Sequence, residues 1–190
     1  MERKILTIIF VCALCCGSFT ANAGDPIKKG AIAGWHYSDI LKDGSSLYGG
    51  HYNSFFVGFF TNKNLMSSGL LQFNSAIMYY QNGSKENDDN WMRLHYLNIP
   101  LSLKVKIGPV YAFAGASGAI KLGGENHSAG VKTNVSEINT WDAGVHGGIG
   151  VKFWILGAEA KYTWGLVDLN DGYKSQYLQL GLLLYIGEGK

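Results

Sequence analysis

Hydrophobic and polar residues alternate with a period of two along most of the chain. The clearest run lies at 97–107, where every odd position is Leu, Ile or Val and the even positions are Asn, Pro, Ser and Lys. Successive side chains of a β-strand point to opposite faces, so this segment predicts a strand with one aliphatic and one polar face. A helix would scatter both classes around its axis, and Pro100 would break it.

The same alternation recurs and leaves no segment over for a helix of useful length. It predicts eight strands, at about 28–40, 51–60, 65–80, 97–107, 110–122, 139–154, 155–167 and 174–186.

The connections between these strands alternate in length. Short ones at 61–64, 108–109 and 154–155 separate longer polar stretches at 41–50, 81–90, 123–137 and 168–173. Short turns at one end and long loops at the other are typical of an outer-membrane barrel. The predicted fold is therefore all-β, an eight-stranded antiparallel up-and-down transmembrane β-barrel with short periplasmic turns and longer extracellular loops.

The first 23 residues predict a secretory signal peptide. Charged residues at 2–4 precede an apolar run from Ile5 to Leu14, and small residues flank Asn22 before the expected cleavage between Ala23 and Gly24. The run is too short for a membrane anchor helix, which needs about 20 residues. Lipidation of an early cysteine is a weaker alternative. The barrel domain then comprises residues 24–190 and contains no cysteine, hence no disulfide, thiolate metal site or cysteine nucleophile.

The amino-acid composition supports a lipid environment for this barrel. Charged residues make up only 16% of the chain, against about 25% in soluble domains, while aromatics reach 13% and glycine numbers 26. A lipid-facing aliphatic surface explains the shortage of charge, and glycine permits the tight curvature of a narrow barrel. A net charge of +2 gives no reason to expect nucleic-acid binding. Aromatics expected at the membrane interfaces are Trp91, Tyr111, Trp141, Phe153, Trp154, Tyr162 and Trp164.

Charged residues and histidines share the polar face of the predicted strands. An eight-stranded barrel has an interior just wide enough for side chains. We therefore expect these residues to form an internal hydrogen-bonded network that stabilises the barrel, with a narrow, mildly cationic pore as the alternative. The set comprises His36, Lys104, Lys106, Asp142, His146, Lys152, Glu159 and Lys161.

Several strand sequences resemble one family. The segment from His95 to Lys104 resembles the "nYleiPlllk" strand of the small outer-membrane β-barrel domain family often labelled PorT-like, with Tyr96, Leu97, Ile99 and Pro100 at its motif positions. Segments 141–150 and 159–166 are similar to later strands of that family, in the same order. The resemblance implies an outer-membrane barrel and no particular activity.

The C-terminus departs from that family, whose last strand usually ends the protein with an aromatic residue. Here Tyr185-Ile186 is followed by four more residues. Because the assembly machinery commonly reads a terminal aromatic, we expect recognition to depend on Tyr185 or to be less standard.

One residue pair raises the possibility of catalysis. His127 and Ser128, preceded by Glu125, lie in the long loop 123–137, and a lipid-modifying enzyme would need a nucleophile, a base and an orienting acid. Adjacent strand residues do not project to one face, and no spacing predicts a metal or cofactor site. We therefore expect no catalysis.

The expected role is structural, surface-interacting or accessory to an envelope or secretion complex, in the outer membrane of a Gram-negative bacterium. Expected partners are outer-membrane lipid, the assembly machinery and other envelope proteins, with no nucleic acid. Alternatives are a lipid-modifying enzyme, a narrow pore or a soluble ligand-binding β-barrel.

Overall fold

The computed structural model describes residues 27–42, 45–46, 51–85, 90–128, 131–134, 139–168 and 173–189. The predicted signal peptide and its cleavage site at Ala23 and Gly24 lie outside these residues. No helix within the described part of the chain is long and apolar enough to cross a membrane. The strands are β1 (Ile27–Lys42), β2 (Ser45–Ser46), β3 (Tyr52–Asn64), β4 (Leu71–Lys85), β5 (Trp91–Ile107), β6 (Val110–Ser128), β7 (Val131–Asn134), β8 (Trp141–Phe153), β9 (Leu156–Gly165) and β10 (Lys174–Gly189).

Within the described ranges, eight long strands form one closed antiparallel barrel. Neighbours follow chain order from β1 through β3, β4, β5, β6, β8 and β9 to β10, and β10 pairs back onto β1 from Ile27–Gly189 to Leu41–Lys174. The short strands β2 and β7 add to β1 and β6. The predicted eight-stranded barrel is confirmed.

The two ends of the barrel differ in their connections. The turns at 65–70, 108–109 and 154–155 lie at the same end as the first residue of β1 and the last of β10. Gly108 (φ 63°) and Trp154 (φ 55°) adopt left-handed backbone in two of these turns. In outer-membrane barrels the short turns face the periplasm, so the opposite end, with the longer connections, is extracellular.

The first short turn lies later in the chain than predicted. Residues 61–64 continue β3, and the chain reverses over 65–70, where Gly69 has a φ of 68°. The polar side chains that suggested a turn instead pair across β3 and β4. Asn74 Nδ2 donates to Asn62 Oδ1 (2.8 Å), and Gln72 Nε2 donates to Asn64 Oδ1 (2.9 Å).

The strands also extend further at the extracellular end than the sequence predicted. β4 continues to Lys85, β5 begins at Trp91, and β6 reaches Ser128. Cross-strand pairs such as Lys85–Trp91 and Trp91–His127 hold these extensions together. Much of the polar sequence interpreted as loop is therefore paired strand beyond the apolar belt.

The outer face is aliphatic across the middle of the barrel. On β5 the outward residues Leu101 and Leu103 are 43% and 53% accessible, whereas the alternate residues Ser102 and Lys104 are buried. Phe153 and Trp154 are exposed at the periplasmic end, and Trp141 and Trp164 at the other, as interfacial aromatics should be.

Tyr111 is an exception to the predicted girdle. It is 4% exposed and faces the lumen, because Val110 and Ala112 occupy the outward positions on either side of it. The expectation that Tyr111 lies at the membrane interface is wrong.

Glycines on β8 make room for aromatic rings inside the barrel. Gly148 pairs with Phe113 of β6, and Gly150 pairs with Tyr111. A Cβ on Gly148 would overlap both the Phe113 ring and the carbonyl oxygen of Ala160. Gly118 differs, since a Cβ there meets nothing within 4 Å. The narrow interior therefore holds large rings because the facing positions lack side chains.

We expect Gly148→Ala to lower the free energy of unfolding by about 1–3 kcal/mol, because it overpacks the Phe113 contact. Gly118→Ala is the matched control and should change it by less than about 0.5 kcal/mol. Urea titration of the refolded barrel in detergent measures both values. Equal effects of the two substitutions would contradict this account of lumen packing.

Candidate functional site

The lumen contains every member of the predicted charge and histidine set, because all eight residues occupy inward positions on their strands. His36, Lys104, Asp142, His146 and Lys161 are buried. Lys106, Lys152 and Glu159 are half-buried. Whether they act together to stabilise the barrel stays a prediction.

An aromatic stack crosses the lumen near the middle of the strands. The His36 ring lies 4.8 Å from Tyr80 and 4.7 Å from Tyr177, centroid to centroid, and Tyr96 stacks on Tyr80 at 5.5 Å. None of the four residues exceeds 3% exposure. Gln179 Nε2 lies 2.9 Å from His36 Nδ1 and fixes the imidazole from β10. These rings fill the cross-section of the barrel.

Serine hydroxyls bond to two of the charged and titratable lumen residues. Ser175 Oγ donates to Asp142 Oδ2 at 2.7 Å, and Ser102 Oγ lies 2.7 Å from His146 Nε2. Lys161 Nζ lies 3.9 Å from the thioether sulfur of Met78. Polar groups buried in a narrow interior are costly unless they are paired, and these contacts reduce that cost.

The predicted set divides into two groups along the barrel axis. Asp142 lies near the extracellular end of β8, whereas Lys152 is ten residues further along the same strand, about 33 Å away at the usual rise. Lys104 and Lys106 lie at the periplasmic end with Lys152. The structure therefore does not bring Asp142 together with these lysines.

Several tyrosines also face the lumen, although the predicted charge and histidine set did not include them. Tyr80, Tyr177 and Tyr185 all face inward, and Tyr111 OH donates to Glu159 Oε2 at 3.1 Å. Their signal was strand parity, because each occupies the same face as polar neighbours such as Asn82 or Gln179. The family-motif residue Tyr96 is inward as well, with Pro100, whereas Leu97 and Ile99 face outward.

A cluster of aromatic and charged groups lies on the outer face beyond Leu97, the last outward aliphatic residue of β5. The rings of Trp91 and His127 stack at 5.5 Å. The Arg93 guanidinium lies 5.2 Å from the Trp91 ring, and Arg93 Nη2 donates to Glu125 Oε2 at 2.8 Å. We call Trp91, Arg93, Glu125 and His127 the rim cluster.

His95 lies beside the rim cluster on β5. Tyr79 OH is 2.6 Å from His95 Nδ1. Partial burial and the nearby Arg93 guanidinium lower the pKa of the His95 imidazole. The His95 ring thus shares a hydrogen bond with Tyr79 at this surface.

Two Ser, His and acid groupings at the extracellular end bear on catalysis. His127 stacks on Trp91, and Ser128 ends the strand with its side chain outside the described residues. Ser84 Oγ donates to Asp39 Oδ1 at 3.2 Å, and His51 Nδ1 lies 3.4 Å from Asp39 Oδ2. A hydrolase triad needs the serine to donate to the histidine, whereas here the carboxylate lies between them.

The described residues contain no group of three His, Cys, Asp or Glu side chains placed to hold a metal ion.

The comparisons with known proteins agree with this architecture. Residues 25–171 match the family model described as outer membrane protein beta-barrel domain. The chain is similar to Ail, the attachment invasion locus protein of Yersinia pestis, solved in complex with the heparin analogue sucrose octasulfate. That likeness has 16% identity, covers 85% of this chain and 99% of the other, and has a TM-score of 0.55.

A second similar structure is Neisserial surface protein A, at 14% identity and a TM-score of 0.60. It covers 83% of this chain and 97% of the other. At such identities these likenesses show the fold alone. A comparison with curated protein sequences gives no match.

We expect Tyr80→Ala to lower the free energy of unfolding by about 3–5 kcal/mol, because it leaves a cavity in the lumen stack. Its neighbour Tyr79 is on the outer face, and Tyr79→Ala should cost about 1 kcal/mol through the lost hydrogen bond to His95. Chemical unfolding in detergent compares the two. If the outward tyrosine proved as costly as the inward one, the stack would not be the stabilising element proposed.

Proposed function

Because the chain belongs to the outer membrane protein beta-barrel domain family, we propose that it acts as a closed, non-catalytic barrel. Its extracellular end makes contact with other surface or envelope components. The observation that carries this proposal is the contrast between a lumen filled with side chains and an extracellular end where the strands extend beyond the membrane-facing surface. The middle of the barrel is occupied by buried rings, whereas β4, β5 and β6 extend paired strand beyond the apolar belt.

The filled lumen favours an interaction role over a pore. His36, Tyr80 and Tyr177 are each at most 3% exposed and stack across the interior. An ion would have to displace these rings and break the Gln179 contact to His36. In this proposal the lumenal charges and hydroxyls stabilise the barrel, and transport is not their task.

The extracellular extension has the dimensions of a contact surface. From Leu97 to Trp91, β5 runs about 20 Å beyond the end of the aliphatic belt. Its outward residues there are aromatic or polar and hold one another in place through the rim cluster. Preorganised aromatic and arginine side chains are the residue types that dominate protein contact sites.

The charge at this end bears on the partner. Ail is bound to a sulfated saccharide in its solved structure. In the present chain the β4–β5 connection contains Glu86, Asp88 and Asp89 beside a single lysine, Lys85. An acidic segment of this composition disfavours a polyanionic partner. We therefore propose a neutral or cationic partner surface rather than a heparin-like one.

Export and assembly form the remaining part of the proposal. A signal peptide cleaved between Ala23 and Gly24 would deliver the chain to the periplasm. The last strand, β10, then closes the barrel on β1, with Tyr185 packed edge-on against Phe60 inside, at 5.0 Å between ring centroids. We propose that the assembly machinery recognises this strand, with Tyr185 as the aromatic residue that it reads.

The proposal predicts that the β4–β5 connection is needed for surface contact. Cells that display the chain should adhere to a panel of host-matrix and bacterial-envelope surfaces better than cells without it. Replacing 86–90 with a Gly/Ser segment of equal length should remove at least one such interaction. The control replaces the periplasmic turn 65–70 in the same way, with heat-modifiable gel mobility confirming that both variants fold.

Two outcomes would contradict the proposal. One is adhesion that persists unchanged after replacement of 86–90. The other is equal loss with either replacement, because the effect would then come from the barrel as a whole rather than from its extracellular end.

A further inference from the structure

Four lysine side chains converge on the periplasmic mouth of the lumen. Lys28 of β1, Lys104 and Lys106 of β5 and Lys152 of β8 line one crevice, together with the rings of Tyr111 and Tyr185. β1, β5 and β8 are not adjacent in the sheet. The lysines therefore meet because the barrel closes, and no sequence motif unites them.

Aromatic rings hold two of these ammonium groups in place. Lys104 Nζ lies 4.1 Å from the centroid of the Tyr111 ring, and Lys152 Nζ lies 3.9 Å from that of Tyr185. Lys104 is only 3% exposed. Ring faces replace part of the hydration of a cation, so these lysines are positioned at the mouth although they repel one another.

Two acidic residues lie on the periplasmic side within the described part of the chain. Glu159 is the nearby lumenal carboxylate, and its Oε2 accepts the Tyr111 hydroxyl. Glu188 of β10 is the register partner of Lys28. Among the described residues that line the crevice, four are lysines and none is a carboxylate, and like charges gathered in a partly desolvated site favour an added anion.

We propose that the periplasmic mouth binds a phosphate-type oxyanion between these lysines. The crevice itself is too narrow for the anion, so we place the anion against the half-buried lysines Lys28, Lys106 and Lys152, whose ammoniums act as point-charge donors to phosphate oxygens. Phe153 and Trp154, both over 80% exposed, follow Lys152 in the same turn region and mark the interface there. A phospholipid headgroup and free periplasmic phosphate could both supply this chemistry.

The test titrates inorganic phosphate into the refolded barrel in maltoside micelles, which contain no phosphate, by isothermal calorimetry. We expect saturable binding that weakens as salt rises. Lys106→Gln should weaken it about fivefold, which corresponds to about 1 kcal/mol for one lysine. Lys106→Gln/Lys152→Gln should weaken it further. Lys174→Gln, at the opposite end of the barrel, is the charge-matched control and should leave binding unchanged.

A second arm distinguishes the two sources. The same titration in phosphatidylglycerol nanodiscs should show weaker apparent phosphate binding if a lipid headgroup occupies the mouth, and unchanged binding if free phosphate is the ligand. Native mass spectrometry then compares phosphatidylglycerol retained by the wild type and the double variant. The proposal is overturned if phosphate does not bind in micelles and both proteins retain the lipid equally. It is also overturned if Lys174→Gln weakens phosphate binding as much as Lys106→Gln.

Discussion

Within a bilayer, each backbone N–H and C=O must find its partner inside the protein, and the pairing of β10 with β1 is what meets that requirement here. Once the last strand bonds to the first, the sheet has no edge exposed to lipid. The outward side chains can then be wholly aliphatic, as they are on β5 from Leu97 to Ile107. The distribution of polar groups follows from this closure, because the interior and the two ends are the places left for them.

Closure with eight strands also produces a narrow interior, and this width decides which side chains the lumen can hold. Large rings fit because Gly148 and Gly150 face Phe113 and Tyr111 across β6 and β8. Charged side chains are tolerated because hydroxyls or ring faces contact them, as Ser175 contacts Asp142 and Tyr111 contacts Lys104. The same closure gathers lysines from separate strands at the periplasmic mouth. The packing of the rings, the contacts to buried charges and the cluster of lysines thus all follow from closure of the barrel with eight strands.

The sequence predicted the barrel well because strand parity is a direct physical signal. The even residues of β5 and β8, including Lys104, Asp142 and His146, face inward as the alternation required. The alternation of polar and apolar residues predicts the positions of turns less well. Asn62 and Asn64 suggested a turn, yet they pair with Asn74 and Gln72 across β3 and β4, since polar residues suit both settings.

The site was less predictable than the fold. Tyr111 was expected at the membrane interface, because a tyrosine near a strand end suits either face until its register is known. The stack of His36 on Tyr80 and Tyr177 joins β1, β4 and β10, and β10 comes beside β1 only when the barrel closes. Single-strand patterns contain no information on such contacts. The partner of the extracellular end depends on loop chemistry that periodicity does not encode.

The central claim is that alternate residues of one strand meet lipid and a packed lumen. Spin labels on single cysteines placed from 97 to 107 test it, through their accessibility to oxygen and to an aqueous nickel chelate. The account predicts high oxygen accessibility at Leu97, Leu101, Leu103 and Val105, and low accessibility to both reagents at Asn98, Ser102 and Lys104. High nickel accessibility at the odd positions, or no alternation along β5, would contradict it.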